Sequence, residues 1–182
     1  VHLLNGAYRG PCFNSHAFIT ETFIDECAHA AGIDPVEYRL ALLAKWEKPW
    51  SDVLRLAASK AGWGQKLPRG EGMGVAITNW PMATIRNFGS TMAVAARVSV
   101  SKAGELAVKR IDIAFDCGRI ANADAVRAQI EGGIAQGVGQ ALWEQCHYDP
   151  ANGQLLSGSF MDYAMPRADT LPSFATEIGE TP

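Results

Sequence analysis

The stretch from Ile111 to Trp143, IDIAFDCGRIANADAVRAQIEGGIAQGVGQALW, constrains the fold more than any other. Val108, Ile111, Ile113 and Phe115 form an apolar, β-prone run that stops at Asp116-Cys117-Gly118. A short polar loop then leads into a helix studded with glycine and glutamine. Asn122 is the expected N-cap, because its side-chain oxygen accepts one of the backbone N–H groups that the first turn leaves unpaired. A strand that feeds a helix in this way points free N–H groups and the positive end of the helix dipole at whatever lies beyond the strand. That favours a ligand that is anionic or rich in acceptors.

Gln129, Gln136 and Gln140 follow Asn122 at spacings of seven, seven and four, which places four amide side chains near one stripe of the helix. Each amide offers donors and an acceptor, the equipment needed to read the edge of a heterocycle such as a pterin. Gly132, Gly133, Gly137 and Gly139 interrupt the same helix, and each glycine costs roughly 0.5–1 kcal/mol relative to alanine. Close approach of another backbone or of a ligand offsets such a cost. Glycines at i and i+4, as at Gly133 and Gly137, also let two helices pack closely, so helix packing and cofactor contact both stand as readings.

The chain has 182 residues, 48% of them hydrophobic, enough for one substantial core. A net charge of −3 argues against a nucleic-acid partner, which needs a basic stripe. No apolar run is long enough to span a bilayer as a helix. The first residue is Val1, inside an already patterned segment, and the expectation is a chain cut at both ends, with cytoplasmic and periplasmic locations equally open. Cys12, Cys27, Cys117 and Cys146 lie far apart, and His2, His16, His29 and His147 lack ligand spacing, so any metal must be held by something other than protein side chains.

Taken in order, Gly6-Ala7-Tyr8-Arg9-Gly10-Pro11 is a turn in which glycines flank one arginine, a fork of donors suited to oxyanions. Ser15 to Ala31 reads as an amphipathic helix with Phe18, Ile19, Phe23, Ile24 and Cys27 inward and Glu21, Asp25 and Glu26 on the solvated side. Gly32 ends it; Asp34-Pro35-Val36-Glu37 caps a second helix running to about Trp46, and a third runs from Ser51 to Gly62. Lys66 to Gly74 reads as a connector. Strands are expected at Gly74–Ile77, Thr91–Ser101, Leu106–Phe115, Ala141–Tyr148 and Leu171–Ile178, with hairpin turns at 102–105 and 149–153. Ser157 to Thr170 is irregular yet rich in apolar residues, as expected of a loop that is packed on a core or lines a pocket. These elements predict a single partial α+β domain over 1–182, a mixed sheet with packed helices. No Walker loop, nucleophile elbow or His-Glu-x-x-His occurs, so the residues alone support a ligand site at a strand-to-helix junction and no named reaction.

Gly6-Ala7-Tyr8-Arg9-Gly10, TETFIDECAHAAGIDPVEYRL, DCGRIANADAVRAQIEGGIAQGVGQALWE and GSFMDYAMPRADTLPSF together resemble the molybdenum-binding large subunit of the xanthine dehydrogenase/aldehyde oxidase family, second half. The resemblance implies the molybdenum-cofactor-binding domain of these hydroxylases and a molybdopterin cofactor, as the cytosine dinucleotide in many bacterial members, whose dithiolene sulfurs hold the metal. It implies hydroxylation of an aldehyde or N-heterocycle carbon with oxygen from water. It also implies electrons leaving through iron–sulfur clusters on a partner subunit, and the remaining half of the large subunit as a second partner. Arg9 matches the family's arginine beside the molybdenum site, and Gln129 matches a glutamine that contacts the pterin. Asp116, Cys117 and Gly118, with Gly132, Gly133, Gln136 and Gly137, match the framework around the cofactor. Pro11 stands where many members have a substrate-stacking aromatic residue. Family members carry the catalytic base on a glutamate in a Gly-x-Gly-Glu segment. Glu180 resembles it, but its spacing from Asp162-Tyr163 fits the Glu-Thr-Pro that precedes the true segment in relatives. A non-catalytic cofactor-binding or assembly module, completed by a partner chain, is the alternative.

Overall fold

The computed structural model describes residues 8–10, 13–45, 48–81 and 89–179. The chain divides into two compact units, one formed by residues up to Ile120 together with those from Phe174 onward, the other by Ala121–Ser173. The first unit is a four-stranded sheet in the order β1-β2-β3-β4, with three helices. The strands are β1 (Glu71–Pro81), β2 (Gly89–Val100), β3 (Leu106–Asp116) and β4 (Ser173–Gly179). β1 and β2 pair antiparallel from Glu71 opposite Ser99 to Pro81 opposite Gly89, and β2 pairs antiparallel with β3. A Cβ at Gly179 would lie 3.8 Å from the Phe115 carbonyl oxygen, so β4 and β3 end side by side and run parallel. The sheet is therefore mixed and the fold α+β.

The β2–β3 turn follows from its residues. Ser101 Oγ accepts from the Ala103 and Glu105 amides at 3.2 and 3.1 Å, and Gly104 takes φ +87°, a conformation that side chains disfavour. A register shift between Arg97 and Val98 leaves Lys109 as the extra residue of a bulge. Beyond it Ile111, Asp112, Ile113 and Ala114 are all buried, so this part of β3 is covered on both faces.

Helix α1 (Phe13–Ala31) ends at Gly32, φ +65°, where the Ile33 amide donates to the Ala28 carbonyl and the Gly32 amide to that of His29, each at 3.0 Å. Helix α2 (Pro35–Leu43) is capped by Asp34, whose Oδ1 accepts from the Val36 and Glu37 amides. The other oxygen, Oδ2, accepts from the Trp63 indole at 2.8 Å, tying the start of α2 to the end of α3 (Lys48–Ala61). Val36, Leu40, Val53, Leu54, Ala57 and Ala58 of α2 and α3 pack on Val75, Ile77, Ala93 and Ala114 of the sheet to form the core.

Two expectations for this unit are corrected. Helix α1 is turned away from its apolar pattern: Phe18, Ile19 and Phe23 are 71%, 61% and 63% exposed and Glu21 only 7%, while Ile24 and Cys27 are half-buried and Glu26 is exposed as expected. The cause lies on α2, where Arg39 is 1% exposed. Its Nε donates to Glu21 Oε2 at 2.9 Å, Nη1 to Asp25 Oδ1 at 2.6 Å, and Nη2 to the Glu21 carbonyl at 3.0 Å. The Ile77 amide of β1 donates to the same Glu21 oxygen at 2.8 Å. A buried guanidinium without its carboxylates is far more costly than an exposed phenyl ring, so the ion pair sets the rotation of the helix. The second correction concerns Glu71–Gly74, read as loop from its glycines. They are strand, because each has a partner on β2.

In the second unit α4 (Ala123–Leu142) is capped by Asn122, whose Oδ1 accepts from the Ala125 amide at 3.0 Å. The strand expected over Ala141–Tyr148 does not form. Ala141 and Leu142 stay helical, the Trp143 and Glu144 amides both donate to the Gly139 carbonyl, and pairing is confined to one bridge between Tyr148 and Leu155. That bridge closes around Asp149–Gly153, where Gly153 has φ +74° and the Asp149 amide donates to the Gln154 carbonyl. The segment after Ser157 is not core packing throughout, since Phe160 and Met161 are 83% and 93% exposed. Tyr163 anchors it by donating to Glu144 Oε2 at 2.7 Å.

Candidate functional site

The residues singled out in the sequence fall into both units and are placed as follows. In the first unit, Arg9 is exposed in a bend completed by Gly10 at φ +74°. The Asp116-Cys117-Gly118 motif closes β3 as an Asx turn: Asp116 Oδ1 accepts from the Gly118 amide at 2.9 Å, and Gly118 has φ +72°. Aspartate supplies the acceptor and glycine the left-handed backbone, so this spacing of the two residues is a requirement of the turn. Glu180 lies outside the described residues, as does Pro11.

In the second unit the helical repeat brings Gln129, Gly133, Gln136, Gly137 and Gln140 onto one stripe of α4. Gln129, Gly133, Gly137 and Gln140 are exposed and Gln136 is half-buried. A Cβ built on Gly137 meets nothing within 4 Å, so among the described residues no packing demands a glycine there. Gly139 is different. It is buried, and its Cβ would approach Pro166 Cδ and Cγ at 2.8 and 2.9 Å, so glycine is needed for close packing within the unit. Gly132 is half-buried and lies off the stripe. The two readings of the glycines therefore divide by position: packing accounts for Gly139, and an exposed amide-and-glycine surface is left at Gly133 and Gly137. The donor set fits a pterin, because the amides provide both donors and acceptors and the glycines leave the helix backbone open to a flat ring. Among the described residues no group of three or more His, Cys, Asp or Glu side chains is arranged to hold a metal ion.

The structure adds one feature that the sequence did not disclose. In the first unit a cleft of about 420 Å³ is lined by Phe13, His16, Ile24, Trp50 and Asn79, with the Glu21–Arg39 pair in its wall. Phe13 and Trp80 lie against each other, ring centroids 4.6 Å apart. Glu21 and Arg39 are engaged with each other and with backbone groups, so they build the wall and offer no free base. Only an arginine between Tyr38 and Leu40, on a helix otherwise apolar at that point, hinted at a buried pair.

Comparison with known proteins identifies the family. The family model for the molybdopterin cofactor-binding domain matches residues 43–172. Over 152 residues the chain is 34% identical to a nicotinate dehydrogenase chain of Pseudomonas putida, covering 78% of this chain and 13% of that protein. Over 166 residues it is 31% identical to the beta chain of the isoquinoline 1-oxidoreductase of Brevundimonas diminuta, covering 90% of this chain and 20% of that protein. The chain thus spans a fifth or less of the length of these relatives. The aldehyde oxidoreductase of Desulfovibrio desulfuricans shares the fold, with a TM-score of 0.73 over 97% of this chain and 36% of that one at 14% identity. Long motifs in order, an α+β fold and a family match over most of the chain lead to one conclusion: it belongs to the molybdopterin cofactor-binding domain family of the xanthine dehydrogenase/aldehyde oxidase type, the molybdenum-dependent oxidoreductases.

Proposed function

We propose that this chain forms one wall of the molybdenum site in an enzyme that hydroxylates an N-heterocycle or aldehyde carbon with oxygen derived from water. The observation that carries the reading is the exposed stripe of Gln129, Gly133, Gln136, Gly137 and Gln140 on α4. When bound, the molybdenum–pterin group, in its cytosine dinucleotide form, supplies the two-electron redox chemistry of the reaction. The residues of this chain hold and orient it. The amides of Gln129 and Gln136 donate to and accept from the pterin edge, while Gly133 and Gly137 admit the ring close to the helix. The Asx turn at Asp116–Gly118 fixes the end of β3. The Arg9 guanidinium orients the oxygen or nitrogen of the substrate through a charge-assisted fork of donors. The proton is taken by a glutamate near the C-terminal end, for which Glu180 is the weaker candidate within this chain. The remaining part of the large subunit and a small subunit with iron–sulfur clusters complete the enzyme. Relatives support the substrate class by name, since nicotinate, isoquinoline and nicotine enzymes are among them.

The test is turnover of the full-length protein, purified with its associated subunits, in ¹⁸O-labelled water with N-heterocycles and aldehydes as substrates and a dye as electron acceptor. Label in the product, with one two-electron reduction per turnover, is the expected result. Unlabelled product, or no turnover with either class by a protein loaded with cofactor, overturns the proposal. In the same assay Arg9→Ala should lower kcat/KM by about 10²-fold, the order of a lost positioning contact, with unchanged thermal stability. A variant that loses stability in step with activity would make Arg9 structural.

A further inference from the structure

Helix α1 carries Phe18, Ile19 and Phe23 on the side away from its own core. Its inner face is fixed by Glu21 and Asp25 on Arg39, and by Glu21 on the Ile77 amide. Phe18, Ile19 and Phe23 consequently form a contiguous outer stripe, 71%, 61% and 63% exposed. The core of α2, α3 and the sheet closes without them. Thr22, between them, is turned back onto its own helix, its hydroxyl donating to the Phe18 carbonyl at 2.6 Å. The stripe therefore presents little but carbon to its surroundings, and surfaces of that kind mark contacts with other protein.

We propose that this stripe is a seam covered by another segment of the same large-subunit polypeptide. Two observations select that occupant. The relatives that match most of this chain are about five to eight times longer than the part matched, so a comparable full-length protein has ample chain to supply a cover. The stripe itself is small. Three exposed side chains offer roughly 400 Å² of apolar surface, given that a large aromatic residue buries 150–250 Å². Stable association of separate chains requires about 800 Å² from each partner, because it must also offset the loss of translational and rotational freedom. A contact within one polypeptide does not bear that loss, so a patch of this size suffices.

The experiment places the photo-crosslinking residue p-benzoylphenylalanine at Phe18 and, separately, at Phe23 in the full-length protein with its associated subunits. The expected result is a cross-link to a peptide of the same polypeptide outside residues 1–182, at a yield independent of protein concentration. Cross-linked dimers of the large subunit, a cross-link to a different subunit, or no cross-link at either position would overturn the proposal. Hydroxyl-radical footprinting of the unmodified full-length protein provides a second readout. Phe18 and Phe23 should react at least fivefold more slowly than in the unfolded protein, and reaction at the unfolded rate would overturn the seam.

Discussion

Alanine substitutions at Gly137 and Gly139, neighbours on α4, should have opposite effects, and the difference isolates the role of the exposed stripe on that helix. At Gly137 the new Cβ meets nothing within 4 Å and the backbone is helical, so the substitution removes only the entropic penalty of glycine. That stabilises the helix by about 0.8–1 kcal/mol. At Gly139 the same gain is overridden. The Cβ would sit 2.8 Å from Pro166 Cδ and 2.9 Å from Cγ, in a ring with little freedom to move, and it would also press on the Glu144 carboxylate. Overpacking of this kind costs about 1–3 kcal/mol, and a rigid ring places Gly139 in the upper half of that range, which leaves a net loss of roughly 1–2 kcal/mol. Amide hydrogen exchange along α4 in cofactor-free, full-length protein reads both effects locally, and 1 kcal/mol corresponds to about a fivefold change in exchange rate. Gly137→Ala should slow exchange several-fold, and Gly139→Ala should accelerate it. If the stripe holds the cofactor, Gly137→Ala should at the same time lower molybdenum content, because its methyl group stands where the flat ring must approach. The reasoning fails if both variants shift exchange in the same direction, or if Gly137→Ala is stabilised and still fully loaded.

Two further predictions concern the frame of the first unit. Arg39→Met leaves the Glu21 carboxylate buried without its guanidinium, and should lower the free energy of unfolding by about 3–5 kcal/mol in denaturant titrations. Glu21→Leu combined with Arg39→Met should cost much less than the single change, and a single-variant loss below about 1 kcal/mol would refute the assignment. Asp34→Ala removes the cap of α2 and the acceptor of the Trp63 indole together. It should cost more than the usual ~1 kcal/mol of a lost N-cap, and Asp34→Asn should restore the cap alone, because its amide nitrogen cannot accept from the Trp63 indole, leaving a melting temperature between those of Asp34→Ala and the parent.

Local chemistry was legible in the sequence wherever one residue settles one backbone group. The caps at Asp34 and Asn122, the glycine after α1, the Ser101–Glu105 turn and the amide stripe of α4 all follow from neighbours within a few positions. What was not legible depends on partners distant in the chain. The rotation of α1 is decided by Arg39, eighteen residues from Glu21, and no periodicity within α1 records that a guanidinium awaits its acidic face. Glu71–Gly74 looks like loop in isolation and becomes strand because Ala96–Ser99 lies opposite. At 141–148 the β-prone residues lose to a helix end already held by the Gly139 carbonyl. The candidate site divides in the same way. The sequence named its residues, but separating Gly139 from Gly137 required knowing where Pro166 packs.

The most direct measurement is the molybdenum and pterin content of full-length Gln129→Ala beside the unmodified protein, determined by elemental analysis and pterin oxidation. Gln129 is exposed on α4, and denaturant unfolding of the two proteins is measured beside the cofactor content to separate binding from stability. We predict a fall in both molybdenum and pterin to less than half of the parent value with unchanged unfolding. Unaltered cofactor content would contradict the assignment of the α4 stripe as the wall that holds it.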